Sequence, residues 1–282
     1  MKYTIDELYS KELKCHCENC FGLCCTALFF SACDGFPQNK DAGKPCINLK
    51  QDFTCSIHNT LFKKRLKGCI SYECFGAGQK IAQKTFNKIS WRKDPQSASK
   101  MFDTFLIIRQ IHEMLWYLVQ SYTLEKNNKI KSKIESLIDD TIKVSLWDVD
   151  KLLNLDLESY RDKVNVYLKA TSETIRKKFK LSSSKSLSTS KKQIQGKNFL
   201  GKDLTKYNLC GADFRGALLI ASNLSYSDLS GADFIGADLR DTNLSSSDLS
   251  RSIFLTQAQI NSAKGDLKTK LPPLIVRPSY WI

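Results

Sequence analysis

Residues 211–254 read GADFRGALLIASNLSYSDLSGADFIGADLRDTNLSSSDLSRSIF, and every fifth position of this stretch is Leu or Phe. Counting by fives from Phe199 meets Phe199, Leu204, Leu209, Phe214, Leu219, Leu224, Leu229, Phe234, Leu239, Leu244, Leu249 and Phe254, twelve large apolar residues in register. Ile194 extends the register backward. The residue before each centre is Asp or Asn in ten of the twelve cases, with Leu218 and Ile253 the exceptions. Two before the centre stand Ala212, Ala217, Ser222, Ser227, Ala232, Ala237, Thr242, Ser247 and Ser252. A period of five matches neither the 3.6 of a helix nor the 2 of a strand. One way to bury a large and a small residue every five positions is a coil that turns a corner at each repeat.

This pattern resembles the pentapeptide-repeat family and its A(D/N)LXX signature, most clearly in GADFRGALL, SDLSGADFIGADLRDTNL and SSSDLSRSIF. The resemblance implies a right-handed quadrilateral β-helix over residues 194–257, four repeats to a coil and so about three coils. At the usual spacing between neighbouring strands its height is about 14 Å. The tail, residues 258–282, breaks the repeat, begins with a helical pattern and carries prolines. Similar tails occur in that family, and it reads as a C-terminal cap over the last open coil.

Upstream the composition changes. Residues 181–193, LSSSKSLSTSKKQ, have no periodic apolar face and read as a Ser/Lys-rich linker. Residues 80–180 are helical in pattern: FDTFLIIRQIHEMLWYLVQSY is apolar almost all round, as a buried helix would be. Ile130, Ile134, Leu137, Ile138 and Ile142 mark one face of a second helix. A third opens after Asp156, with Tyr160, Val164, Tyr167, Leu168, Ile175 and Phe179 at helical spacing. Within the buried helix Arg109, His112 and Glu113 fall on one turn, where buried polar groups require partners.

Residues 1–79 are loop-rich and cysteine-dense: ten of the eleven cysteines lie between Cys15 and Cys74, and Cys210 is the other. The start, MKYTIDELYSKELK, interleaves charges with apolar residues, unlike a secretory leader, so the chain reads as cytoplasmic, where thiols stay reduced and metal binding is their expected use. Thiolates are soft ligands that select zinc or iron–sulfur clusters, and a CxxC turn lets two converge on one ion. Adjacent cysteines point apart, so Cys24 and Cys25 either serve different ions or one of them belongs to the core. Gly22 allows the tight turn between Cys20 and that pair. FGAGQ after Cys74 lacks the third glycine of a dinucleotide fingerprint and reads as a turn.

The series Cys17-x2-Cys20-x3-Cys24-Cys25, followed by PCINLKQDFTCSIH and RLKGCISYEC, resembles the zinc- or iron-chelating cysteine-cluster family. The resemblance implies Cys17, Cys20, Cys24, Cys25, Cys46, Cys55, Cys69 and Cys74 as metal ligands. His58 stands where that family has Tyr, and Arg65-Leu66 replaces its Arg-Pro. Cys15, His16, Cys33 and His58 are further candidates outside the pattern. The donor count suits two tetrahedral zinc sites or one iron–sulfur cluster with spare thiols, and the sequence leaves both open.

The formal charge of +14 is uneven, at +2 for residues 1–79, +10 for 80–196, −1 for 197–257 and +3 for 258–282. A basic middle suits nucleic acid or simply a solvated lysine-rich surface. The long apolar stretches are too short or too charged to span a bilayer. The expected architecture is multi-domain α+β: a Cys-rich metal-binding module, a helical region packed on it, the linker, the β-helix and its cap. The expected function is a metal-binding protein-interaction module with no evident catalytic residues, meeting another protein through the repeat faces. Two alternatives stand beside it, an iron- or iron–sulfur-dependent enzyme modifying a protein or peptide, and a nucleic-acid-associated protein. The long, acidic, dimeric DNA mimics known among pentapeptide-repeat proteins differ from this chain, whose repeat region is short and nearly neutral.

Overall fold

The computed structural model describes residues 5–186 and 197–282. The chain forms two compact units, Met1–Leu168 and Lys169–Ile282. The cysteine segment and the helices as far as Leu168 therefore belong to one unit.

In the first unit the N-terminal part is built from short helices, α1 (Ile5–Leu8), α2 (Leu23–Ala27), α3 (Lys67–Ile70) and α4 (Ala77–Lys80), joined by loops and by the single antiparallel bridges Phe30↔Lys40 and Leu49↔Cys55. Helices α1, α2 and α4 pack against α5 (Ala98–Leu124), a 27-residue helix with neither Gly nor Pro inside it. Met101, Phe105, Ile108, Ile111, Leu115 and Leu118 of α5 are buried, and α2 and α4 lie against it. The all-round apolar pattern is thus that of a central helix.

The amphipathic α6 (Asn128–Val144) buries Ile134, Leu137 and Ile138 and is capped by Asn127, whose side chain accepts from the N–H groups of Lys129 and Ile130. Asp148 caps α7 (Val149–Leu153), and Asp156 opens α8 (Leu157–Ser186) by accepting from Ser159 N at 3.0 Å. The Thr141 and Tyr160 hydroxyls share a hydrogen bond of 2.8 Å that ties α6 to the start of α8. The linker expected at 181–193 differs in its first six residues, which continue α8 through Ser186. The rest of it, and Ile194, lie outside the described residues.

In the second unit, successive five-residue steps return to the same side every 20 residues. Single parallel bridges pair Asn198 with Leu218, Asp203 with Asn223, Asp213 with Asp233, Leu218 with Asp238, and Asn223 with Asn243. Backbone hydrogen bonds follow that spacing, as in Phe199 N to Leu218 O at 2.8 Å and Leu224 N to Asn243 O at 2.9 Å. All twelve Leu/Phe centres are buried, and so are the small residues two positions before them. Phe214 and Phe234 stack with ring centroids 5.2 Å apart, 20 positions apart in the chain.

The right-handed quadrilateral β-helix, and with it the α+β class, is not what these residues form. No β-strand occurs among the described residues, and each rung is a single bridged residue set between two-residue turns. In ten of the twelve repeats the Asp or Asn before the centre closes the turn. The side-chain oxygen of Asn198, Asp203, Asn208, Asp213, Asn223, Asp228, Asp233, Asp238, Asn243 or Asp248 accepts from the backbone N–H two residues on. Such Asx turns compete with extended pairing at those ten positions, and the backbone turns in the same way after Leu218, so no run grows long enough to be a strand. The result is helices followed by stacked turns.

The tail supplies the last partners of this stack: Leu244 N donates to Lys264 O at 2.8 Å and Leu249 N to Lys270 O at 2.9 Å. α9 (Gln257–Ser262) opens with a capping box between Thr256 and Gln259. Trp281 is buried against Gly265.

Candidate functional site

The cysteines reach their positions through tight turns that glycine permits. Cys17 sits in a 3-10 turn, Cys17–Asn19, whose last residue leads to Cys20. Gly22 then takes a left-handed conformation, φ 63°, and a Cβ there would collide with Leu49. This turn launches α2, which carries Cys24 and Cys25. Cys46 follows the Asp41–Lys44 turn, Cys55 is bridged to Leu49, Cys69 lies on α3 and Cys74 precedes α4.

Two thiol pairs meet. Cys15 Sγ and Cys74 Sγ are 3.3 Å apart, and Cys24 Sγ and Cys25 Sγ 3.9 Å apart. Among the described residues no three His, Cys, Asp or Glu side chains are already arranged to hold a metal ion. The expected ligands nevertheless share one neighbourhood. Cys20, Cys24 and Cys74 lie near enough to feel one another's charge, and so do Cys25, Cys46, Cys55 and Cys69. Cys46 N donates to Cys25 O at 2.9 Å, and Cys46 and Cys69 pack on the Phe30–Phe36–Leu66 cluster.

The candidates outside the pattern divide. Cys15 joins the cluster, whereas His16 turns its Nδ1 to Glu18 at 3.1 Å, and Cys33 and His58 lie exposed in 3-10 turns.

The electrostatics follow from burial and from these pairings. Burial pushes the Cys20 thiol up to about 11 and Cys69 up to about 12. Cys15 is raised by its hydrogen bond to Cys74 and by burial, while Cys74 is lowered because it accepts that bond and the Gly78 N–H as well. Cys24 is raised and Cys25 lowered for the same reason, one thiol proton being shared between adjacent sulfurs. The Gly22 and Leu23 N–H groups face Cys20 and oppose its rise. Backbone N–H groups aimed at sulfur favour the thiolate, the form that binds metal.

Three features suit a soft ion: a donor set made of thiols, a Gly78 cradle where a Cβ would come within 2.6 Å of Cys20 Sγ, and the buried Tyr72 hydroxyl. That hydroxyl has no hydrogen-bond partner among the described residues and lies near Cys74, Cys24 and Cys15. A cavity of about 710 Å³ opens on the other side, with Cys46, Phe30, Phe36 and Lys40 in its wall. Lys40 Nζ is committed to the carbonyls of Thr26, Asp41 and Lys44.

The polar turn of α5 supports this cluster from behind. Arg109 Nε donates to Glu73 O at 3.1 Å, and His112 Nδ1 bonds Phe75 O at 2.7 Å, so α5 grips the backbone on both sides of Cys74. Lys80 pairs with Glu12 at 2.9 Å, and Gln79 holds His16 N and Lys14 O, fixing the segment before Cys15. FGAGQ is more than a turn: a Cβ at Gly76 would collide with Glu12 O, and one at Gly78 with Cys20. The small residues after Cys74 were the available signal for that close approach.

In the second unit, α8 lies on the repeats at the two glycines whose Cβ positions it fills, Gly211 against Arg176 O and Gly231 against the Phe179 ring. Arg176 Nε donates to Gly211 O at 3.2 Å, and its guanidinium pairs with Asp213 at 3.3 Å. No helix among the described residues is long and apolar enough to cross a membrane.

The stacked five-residue steps with buried Leu/Phe centres are pentapeptide repeats, and the family model for them matches eight copies over residues 198–234 and 217–254. The chain is 42% identical over 278 residues to "Uncharacterized protein YybG" of Bacillus subtilis (strain 168), covering 99% of this chain and 98% of that one. The chain therefore belongs to the same family as this relative.

Proposed function

We propose that the protein is a protein-interaction module in which a thiol-bound soft metal ion, zinc or iron, organises the first unit while the pentapeptide repeats offer a surface to a partner protein. The pentapeptide-repeat match supports the interaction role, since such repeats commonly serve as protein-interaction modules. The observation that carries the metal reading is the gathering of the expected thiols around α2 and the start of α4, with backbone N–H groups aimed at Cys20 and Cys74. A bound ion would cross-link the loops that carry these thiols, and its binding free energy would become folding free energy. The chain's own contribution is orientation: Arg109 and His112 hold residues 73–75, and Gly78 makes room for Cys20.

Anaerobic purification followed by elemental analysis and a visible spectrum tests this reading. Stoichiometric metal that resists dialysis, and whose removal by chelator lowers the melting temperature, is the expected result. A metal-free protein of unchanged stability, unable to take up zinc or iron on titration, would exclude it. For the interaction role, Tyr226, 82% exposed on the repeats, is the position to vary. A partner's affinity should fall with Tyr226→Ala while the melting temperature holds.

A further inference from the structure

We infer that Cys15, which stands outside the spaced cysteine series, is a metal ligand sharing one ion with Cys74, Cys20 and Cys24. This rests on the thiol-metal reading above and deepens it. Cys15 Sγ and Cys74 Sγ are in contact at 3.3 Å. Two thiolates about 2.3 Å from one tetrahedral ion lie about 3.8 Å apart, so this pair needs to open only slightly to accept one. Among the described residues Cys17, which begins the spaced series, makes no such sulfur contact; both residues are exposed, so it is the contact that sets Cys15 apart.

The backbone around the pair is arranged for sulfur. Phe75 and Gly76 both have positive φ, 50° and 74°, which turns the chain sharply after Cys74. Gly76 N–H reaches Cys15 and Cys74, and Gly78 N–H reaches Cys74. The same Gly78 leaves space for Cys20 Sγ, so Cys20 and Cys74 approach the first turn of α4 together. Cys24 is carried by α2, which follows Cys20 through the Gly22 turn and, like α4, lies against α5. The backbone of Cys25 is tied instead to Cys46. Cys15 is itself held in place, since Lys14 O and His16 N on either side are both bound by Gln79.

The test compares the full chain with Cys15→Ser, Cys17→Ser and the exposed control Cys33→Ser, each purified anaerobically and titrated with Zn²⁺ and Co²⁺. Readouts are metal per chain and the Co²⁺ thiolate charge-transfer band. Cys15→Ser should hold about one ion fewer after dialysis, or keep a cobalt band weakened by about a quarter, as expected on going from four thiolates to three. Cys17→Ser and Cys33→Ser should match the wild type at this site. Cys15→His, which restores a ligand, should recover the ion, and that recovery separates lost ligation from lost folding. Wild-type metal content in Cys15→Ser, or loss in Cys17→Ser instead, would overturn the assignment and leave the metal reading standing. Failure of the wild type to take up either ion would remove both.

Discussion

Ser172 Oγ donates to Asp233 Oδ2 at 2.5 Å, joining α8 to the buried centre of the repeat stack within the second unit. Asp233 is fully buried, with Arg215 Nε 3.8 Å away, and burial raises its pKa above the ordinary carboxylate value. Because the folded state holds this proton more tightly than the unfolded chain, stability from this group declines as pH rises above the ordinary carboxylate pKa. Asp233→Asn, which keeps Oδ1 as the acceptor for Ile235 N and turns its NH2 toward Ser172 Oγ, where the hydroxyl can accept, should remove that decline and leave the melting temperature at pH 7 equal or higher. Ser172→Ala should cost about 1 to 3 kcal/mol, since the carboxylate then loses a buried donor. Melting curves from pH 4 to 7 for the three proteins check both. A drop in stability for Asp233→Asn at pH 7 would mean that the charge itself is needed.

Gly231 and Gly216 occupy the same place in their repeats, two after the centre, with φ 68° and 61°. Left-handed backbone alone does not demand glycine there, because Ala221, Tyr226, Asp241 and Ser246 adopt it with φ between 55° and 57°. What differs is space. Nothing lies within 4 Å of a Cβ at Gly216, whereas one at Gly231 would strike the Phe179 ring of α8. Gly216→Ala should therefore cost about 1 kcal/mol from backbone strain alone. Gly231→Ala should cost about 2 to 4 kcal/mol, as overpacking adds to that strain. Equal losses in urea melts of the two variants would show that α8 does not press on the repeats at this glycine.

The five-residue register was legible because a buried Leu or Phe at each centre and a small residue two before it leave no other reading of the pattern. Its secondary structure was not, because the same Asp and Asn that reveal the register also divert the backbone into turns. Asp213 and Asn243 look alike in sequence whether they flank a strand or close an Asx turn, and only the N–H two residues on decides. The central helix followed from its apolar circumference. The docking of α8 on the repeats did not, since Ser172, Arg176 and Phe179 form no distinctive pattern and meet Asp233, Gly211 and Gly231 across long stretches of chain. Spacing revealed the ligand candidates, but Cys15 lies outside any spacing rule and stands out only through its approach to Cys74.

His112 gives the first unit a dependence on pH of the opposite kind. It is completely buried in α5, bonded through Nδ1 to Phe75 O, and burial lowers its pKa to about 4. The folded state binds the neutral ring, while an unfolded chain takes up a proton below about pH 6.5. Stability should thus be complete above that pH and fall as pH drops toward 4, by roughly 3 kcal/mol in all. His112→Gln, which carries no titrating group, should flatten this slope. Denaturant midpoints of wild type and variant between pH 4 and 7 measure it, and parallel curves would locate the acid sensitivity elsewhere.

Leu218 is one of two positions before a repeat centre without Asp or Asn, and it leaves 46% of its surface exposed. At the other sites a side-chain oxygen accepts the N–H two residues on, for instance Arg240 N to Asp238 Oδ1 at 3.1 Å, one coil along from Leu218. An Asn at 218 would stand opposite Asn198 and Asp238, in the same bridge row, and could accept from Ile220 N in the manner of its neighbours. Leu218→Asn should then stabilise the repeats by about 0.5 to 1.5 kcal/mol, the usual net worth of one such bond, against a small loss of partly buried apolar surface. The gain should appear as a higher melting temperature, and Leu218→Ala, which removes the same side chain without adding an acceptor, isolates the hydrogen bond. If Leu218→Asn melts no higher than Leu218→Ala, the Asx oxygen sets the turn without adding to its stability. In that case the exposed leucine would be kept for a partner rather than for the fold, which a fall in partner affinity in both variants would register directly.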